Sequence, residues 1–224
     1  MAFIEIKALC KTYVERSGIR TEALRGIQLA IEKEGFISIA GPSGSGKTTL
    51  LNLIGALDKP SSGSICYDGI DITQIPTHKL ADFRLRNIGF IFQAYNLINT
   101  LTALENTEYV MLLQEMAPAI RKAKAIEILK AVGLGDFLHR RPAEMSGGQQ
   151  QRVAVARAIA AEPKVILADE PTANLDSATA NNLLDLMKRL NREKGISFIF
   201  STHDKMVMDK ADNVIFIRDG AITV

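Results

Sequence analysis

Gly41-Pro42-Ser43-Gly44-Ser45-Gly46-Lys47-Thr48 has the spacing GxxxxGK[ST], and these residue types in this order can hold a phosphate chain. The glycines let successive backbone N–H groups turn inward, Lys47 reaches the outer phosphate oxygens, and the Thr48 hydroxyl can ligate Mg²⁺. Val165-Ile166-Leu167-Ala168-Asp169-Glu170 ends four apolar residues on two carboxylates. Asp169, at the carboxyl end of a buried strand, can hold Mg²⁺ through a water, and Glu170 can polarise an attacking water. Alone, the two acids would merely open a loop. Beside a phosphate-binding loop they read as the hydrolytic half of a nucleoside triphosphate site.

A third cluster is Ser146-Gly147-Gly148-Gln149, followed by Gln150-Gln151-Arg152-Val153-Ala154-Val155-Ala156-Arg157. Ser146 and Gln149 fit a capping box, which predicts a helix start whose first N–H groups form an anion site. The cluster is either a helix cap and nothing more or a second phosphate cradle. A chain with one cradle has no use for another unless the second serves the nucleotide of a neighbouring copy.

The elements that must position these residues follow from periodicity. Strands are predicted at Phe3 to Ala8, Gly26 to Ile31, Phe36 to Ala40, Ile65 to Tyr67, Ile88 to Phe92, Val165 to Ala168, Ile196 to Phe200 and Val214 to Ile217. Phe36 to Ala40 runs into the Gly-rich loop, and an apolar helix with Leu50, Leu51, Leu53, Ile54 and Leu57 follows it, the order a phosphate-binding unit needs. Thr102 to Glu105 has the form of a capping box, and a helix over Arg121 to Val132 should end at Gly133. Leu183, Leu184, Leu186, Met187 and Leu190 belong to another helix, closed by Gly195. Apolar strands alternating with helices predict a parallel α/β core, an N-terminal β layer and a helical arm inserted at about residues 95–160.

The 224 residues allow one full domain, and a hydrophobic share of 47% with 23% charged suits a well-cored protein. A formal charge of +2 gives no reason to expect a nucleic-acid partner. Cys10 and Cys66 form no metal-ligand pattern and read as reduced thiols. No signal peptide opens the chain, and no apolar run approaches the roughly 20 residues that span a bilayer, so any membrane part belongs to another chain.

With all three motifs present, the sequence resembles the nucleotide-binding domain of ABC transporters from the first strand to the last residue. Ser146 to Gln149, preceded by Met145 where leucine is usual, separates that family from other P-loop proteins. The resemblance implies a P-loop NTPase (RecA-like) core in residues 1–94 and 161–224, with an N-terminal antiparallel β layer and a helical signature subdomain in 95–160. It also implies ATP and Mg²⁺ as ligands, and two ATP held between two copies of the chain. Gly41 to Thr49 would then lie against one nucleotide, and Ser146, Gly147, Gly148 and Gln149 against the partner's. Gln93 matches the Q-loop glutamine that senses Mg²⁺ and water and touches the membrane partner. Asp176, in Asn174-Leu175-Asp176, matches the D-loop aspartate that crosses the dimer interface. His203 matches the switch histidine at the γ-phosphate, though a lone histidine after a strand is also a common surface residue. Tyr13 falls where the family sets an aromatic ring against adenine, and it could equally be a core residue.

Asn52 to Asp58, Gln93 to Ile98 and Thr172 to Asp176, with the spacer Val14 to Glu22, resemble the ATPases of lipoprotein-release transporters and macrolide exporters. That group works beside a separate integral membrane permease, on the cytoplasmic face of the inner membrane. The alternative is a regulatory ATPase of a cell-division-type membrane complex, which transmits a signal and moves no substrate. The chain's end at Val224 is taken to leave no room for a C-terminal regulatory domain. Tyr95, Leu97, Ile98 and Leu101 are expected either to form a groove for a short helix of the permease or to pack the helical arm onto the core.

Overall fold

The computed structural model describes residues 2–15 and 18–223. Met1, Arg16, Ser17 and Val224, which enter the readings of the N-terminus, the spacer and the chain's end, lie outside them. In chain order the elements are β1 (Ile4–Val14), β2 (Arg20–Ile31), β3 (Phe36–Ala40), α1 (Lys47–Ile54), β4 (Ser62–Tyr67), β5 (Ile70–Asp71), α2 (Thr77–Asn87), β6 (Ile88–Ile91) and α3 (Ala103–Leu113). There follow α4 (Pro118–Ala131), α5 (Gly147–Ala160), β7 (Val165–Asp169), α6 (Ser177–Lys194), β8 (Ser197–Thr202), α7 (Lys205–Lys210), β9 (Asn213–Arg218) and β10 (Ala221–Thr223). The chain divides into two compact units, Met1–Ala81 with Ser197–Val224, and Asp82–Ile196.

The first unit carries two sheets. One is antiparallel, in the order β2-β1-β4-β5, and supplies the predicted N-terminal β layer. In the other, β3 runs parallel to β8 on one side and to β9 on the other, with β10 antiparallel on β9. β3 and β8 are buried at every residue, including the small polar Ser38, Ser197, Ser201 and Thr202, which is why neither shows a charged or exposed face. Phe36, Phe198 and Phe200 pack with ring centroids 4.6–6.0 Å apart, and Leu50, Leu53 and Ile54 of α1 are buried in the same unit.

The ends of β1 and β2 differ from expectation for a local reason. Ala8 takes φ 46 and the β1 ladder shifts register after Ile6, so period-two alternation breaks although the strand continues to Val14. α2 has no sequence signal of its own, since Leu80 is its only buried residue.

In the second unit β6 and β7 pair in parallel, and α5 packs against β6, α3, α4 and α6. α5 buries eight of its fourteen residues, Gln151 among them, as a central helix must when every face meets protein. The expected capping boxes form at Thr102–Glu105 and Ser146–Gln149, and Gly133 and Gly195 follow α4 and α6 with φ 78 and 64. Arg152 and Arg189 donate to the Val132 and Ala131 carbonyls at 2.9 Å each, satisfying the C-terminal end of α4. Among the described residues no helix is long and apolar enough to cross a membrane.

Phe36 has no exposed surface and anchors the aromatic cluster at the base of the strand that feeds the Gly-rich loop. Phe36→Ala is expected to destabilise the protein by about 3–5 kcal/mol. Urea denaturation followed by circular dichroism measures this, and a loss below about 1 kcal/mol would show that the cluster does not anchor β3.

Candidate functional site

The Gly-rich loop lies between β3 and α1 in the first unit. Gly46 is the N-cap of α1 with φ 106, a conformation in which an L side chain is strained, and a Cβ there would also meet the Ala23 carbonyl at 2.7 Å. No side chain caps α1. Gly46 has no side chain with which to satisfy the first N–H groups, which lie at the positive end of the helix. The Lys47 ammonium folds back over the loop and donates to the Gly41 and Pro42 carbonyls at 2.7 and 2.9 Å, and the Ser45 amide donates to the Pro42 carbonyl at 3.2 Å. From the β9–β10 turn, the Gly220 amide donates to the Ser45 carbonyl at 3.0 Å. The Ser45 hydroxyl is buried and has no hydrogen-bond partner. An uncapped helix start, a buried lysine and an orphan hydroxyl together fit a phosphate chain.

Pro42, Ser43, Gly44 and Thr48 are exposed and Thr49 is half-buried. Beside them opens a cleft of about 330 Å³, lined by Thr21, Ala23, Gly44, Lys47, Thr48 and Thr49 among others. Tyr13 pairs with Thr21 in the β1–β2 ladder and is 41% exposed, which removes the core alternative for its ring. His203 follows β8, is exposed, and precedes Asp204, the N-cap of α7.

The second unit holds the remaining sequence-marked residues. Asp169 is the last residue of β7, and Glu170 follows it with φ 44. A left-handed glutamate costs backbone energy that the surroundings must hold in place. Part of that hold is visible: Gln151, fully buried on α5, donates its side-chain amide to the Pro171 carbonyl at 2.7 Å. α5 thus fixes the residue beside Glu170.

Ser146 is exposed and caps α5, its hydroxyl accepting from the Gln149 amide at 3.3 Å, while Gln149 Oε1 accepts from the Ser146 amide at 2.9 Å. The two glycines that follow are closely approached by neighbouring side chains. A Cβ on Gly147 would lie 2.8 Å from the Tyr95 hydroxyl, and one on Gly148 would lie 2.6 Å from Thr179 Cγ2. Asp176 is exposed and caps α6, accepting from the Ala178 and Thr179 amides at 3.1 and 3.0 Å and from the Thr179 hydroxyl at 2.6 Å. The Thr179 hydroxyl above all, then these amides, holds the Asp176 carboxyl below the usual carboxylate range.

Gln93 is exposed, and its carbonyl accepts from the Asn174 side chain at 2.9 Å. The next residues form a left-handed turn, Tyr95 with φ 59 and Asn96 with φ 50. Arg157, on α5, donates to both of their carbonyls, at 3.0 and 2.6 Å. Burial draws its guanidinium below its ordinary value. Leu97 and Leu101 are half-buried and Ile98 is exposed. The buried Asn106 bridges this segment, bonding the Ile98 amide and the carbonyls of Ile98, Leu101 and Thr102 at 2.9–3.1 Å, with the Thr102 bond at 3.0 Å. Sequence reading did not single out Gln151, Arg157, Lys11 or Asp58, because each acts on a residue far away in the chain. A larger cavity of about 890 Å³, lined by Ala119, Ile120, Lys124, Ile159 and Ile196 among others, gathers none of the site residues.

Comparisons with known proteins identify the family. The family model described as ABC transporter matches residues 24–173. The chain is 44% identical over 219 residues to the lipoprotein-releasing system ATP-binding protein LolD of Syntrophus aciditrophicus, covering 98% of each chain. It is 47% identical to an uncharacterized ABC transporter ATP-binding protein, MJ1508, of Methanocaldococcus jannaschii, covering 98% of this chain and 97% of that one. A solved dimeric structure, a post-hydrolysis state of the ATP-binding cassette MJ0796 bound to ADP and Pi, matches with TM-score 0.90 and 41% identity, covering 99% of this chain and 97% of that one.

Arg157→Ala removes both hydrogen bonds that hold the left-handed turn at Tyr95 and Asn96. Amide hydrogen exchange over residues 93–98 should then accelerate at least tenfold, as expected from losing charged hydrogen bonds of about 1.5–3 kcal/mol each. Exchange unchanged from the parent would mean that Asn106 and Asn174 hold the loop without Arg157.

Proposed function

The chain belongs to the ABC transporter family as one of its ATP-binding cassettes, and from this premise we propose that it is the ATPase subunit of a transporter of the lipoprotein-releasing type. It dimerises around two ATP, on the cytoplasmic face of a membrane, and drives a separate permease. Its catalytic core corresponds to residues 1–94 and 161–224, and its signature subdomain to 95–160. The observation that carries the reading is the contrast between two helix N-termini. α1 starts without a side-chain cap, beside Lys47 and the orphan Ser45 hydroxyl, whereas α5 starts with a cap that still has something to give.

That remainder can be counted. A serine hydroxyl has one hydrogen to donate and two lone pairs to accept with. In capping α5, Ser146 spends one lone pair on the Gln149 amide and keeps its hydrogen. With the Gly147 and Gly148 amides it can receive the γ-phosphate of an ATP seated on the partner's Gly41 to Thr49. The solved MJ0796 cassette, dimeric with ADP and Pi, supports this arrangement.

Within the site Lys47 exchanges its loop carbonyls for the β- and γ-phosphate oxygens. Glu170, held in its strained conformation by the loop that Gln151 ties down, orients the attacking water and accepts its proton. His203 donates to the γ-phosphate, and the Tyr13 ring stacks on adenine. Thr48, Asp169 and Gln93 would hold Mg²⁺, which when bound neutralises charge on the phosphates. Asp176 faces the partner protomer. Exposed Ile98 and half-buried Leu97, beside Gln93, supply the surface for the permease, and the LolD name of a relative 44% identical to this chain supports that partner class.

Glu170→Gln keeps the shape of the site and removes the charge that organises the water. It should lower turnover by roughly a hundredfold or more while leaving ATP binding intact. ATP then accumulates in the closed state, so sedimentation should show a stable dimer with ATP and a monomer without it. A mutant that stays monomeric under saturating ATP would sink the proposal of ATP-bridged dimerisation.

Ser146→Arg tests the shared site from its other side. ATP affinity of the isolated protomer should stay within about twofold of the parent while hydrolysis is suppressed, because Ser146 acts on the partner's nucleotide. Should the protomer lose ATP binding as severely as Lys47→Ala does, Ser146 would belong to its own chain's site.

A further inference from the structure

Lys11, Tyr13 and Asp58 form a bonded triangle beside the Gly-rich loop. The Tyr13 hydroxyl donates to Asp58 Oδ2 at 3.0 Å. The Lys11 ammonium reaches both oxygens of Asp58 at 2.8 Å, donates to the Lys59 carbonyl at 2.7 Å, and stands 4.8 Å from the centroid of the Tyr13 ring. The Lys59 amide adds a bond to Asp58 Oδ1 at 2.7 Å. Burial alone would raise the Asp58 carboxyl, but Lys11, the Lys59 amide and Tyr13 together hold it below the usual carboxylate range. Lys11 is largely covered, with its side chain only 12% exposed, while the Tyr13 ring remains 41% exposed. An ordinary surface ion pair contributes little and fixes no geometry. Here Asp58 bonds the hydroxyl at the tip of the ring, and Lys11, held by Asp58 and the Lys59 carbonyl, lies over one of its faces.

We propose that Lys11 and Asp58 are positioning residues for the nucleotide base, holding the Tyr13 ring so that one face is kept open for stacking. Asp58 fixes the tip of the ring, and Lys11 occupies one face by a cation–π contact. The charge of Lys11 draws π density toward its own side, which lowers the repulsion met by a base stacked on the other. The orientation of the ring is therefore set before the ligand arrives, and the site favours ligands that carry a base as well as a phosphate chain.

The inference rests on the reading of Tyr13 as the adenine platform, and the experiment separates the two. Calorimetry of the full chain is run with ADP and with inorganic tripolyphosphate, which offers phosphates without a base. The variants are Lys11→Met, Lys11→Arg and Asp58→Asn, with Tyr13 present and in the Tyr13→Ala background. With Tyr13 present, Lys11→Met and Asp58→Asn should weaken ADP binding by about threefold to tenfold, as loss of a cation–π contact and of ring orientation implies. Lys11→Arg should restore most of the affinity. In the Tyr13→Ala background the same changes should have no further effect, and tripolyphosphate affinity should stay constant throughout. If Tyr13→Ala weakens ADP binding while Lys11→Met and Asp58→Asn do not, the positioning role is overturned and the platform stands. If Tyr13→Ala leaves ADP binding unchanged, the platform itself falls, and the positioning role with it. A parallel loss of tripolyphosphate affinity would show that the triangle supports the loop rather than the base, which also overturns the proposal.

Discussion

A helix begins with backbone N–H groups that none of its own carbonyls can accept, and the organisation of this protein follows from how each helix meets that need. Thr102 caps α3, Ser146 caps α5, Asp176 caps α6 and Asp204 caps α7, while α4 opens with Pro118, which has one donor fewer. α1 uses neither device. Its N-terminus is reached through a glycine at φ 106, so no side chain can fold back to cap it. A phosphate chain supplies the acceptors that the sequence withholds, and the Lys47 ammonium, placed on the loop carbonyls, is ready to be exchanged onto that chain.

In the second unit the sequence motifs are not independent. Asn174 bonds the carbonyl of Gln93, Arg157 bonds those of Tyr95 and Asn96, and Gln151 bonds that of Pro171 beside Glu170. Gly147 leaves room for the Tyr95 hydroxyl, and Gly148 for Thr179. Three of these ties end on α5. A shift of the turn at Tyr95 would therefore load the helix that presents Ser146 and the loop that carries Glu170. That gives a physical route by which force at the proposed permease surface reaches the groups proposed to close on ATP and cleave it. It also gives Gly147 and Gly148, beyond the N–H surface proposed to face the partner's phosphate, a packing reason to be glycine within their own unit.

What could be read from sequence was what is local. The capping boxes join residues three apart, and β3 is a short, mostly apolar segment interrupted only by Ser38, so both appear in the sequence as in the structure. β1 is legible only as far as Ala8, because the bulge there shifts the alternation by which a strand is recognised. The ties that give the site its geometry were not legible at all. Arg157 lies 61 residues from Asn96, and Tyr13 lies 45 from Asp58. No periodicity or motif links such pairs, and only the folded chain brings them together. Gln93 and His203 stand between these cases, since their positions matched a known pattern while their surroundings could not be read.

The electrostatics of the two helix starts also explain why the proposed dimer should depend on nucleotide. α1 and α5 each present a positive N-terminal pole, and Ser43, Gly44 and Ser146 around them are exposed and offer almost no apolar area. Two such poles brought face to face repel, and these small polar residues carry little apolar area to offset the repulsion. A polyphosphate between them reverses the sign of the interaction, because each pole then faces an anion. In the proposed arrangement, cleaving the γ-phosphate takes away the part of that anion nearest to α5. The attraction that closed the interface is then lost on the side of the signature first, while the phosphates on α1 keep theirs. Closure and release thus need no apolar interface in this region, only an anion whose length changes on hydrolysis.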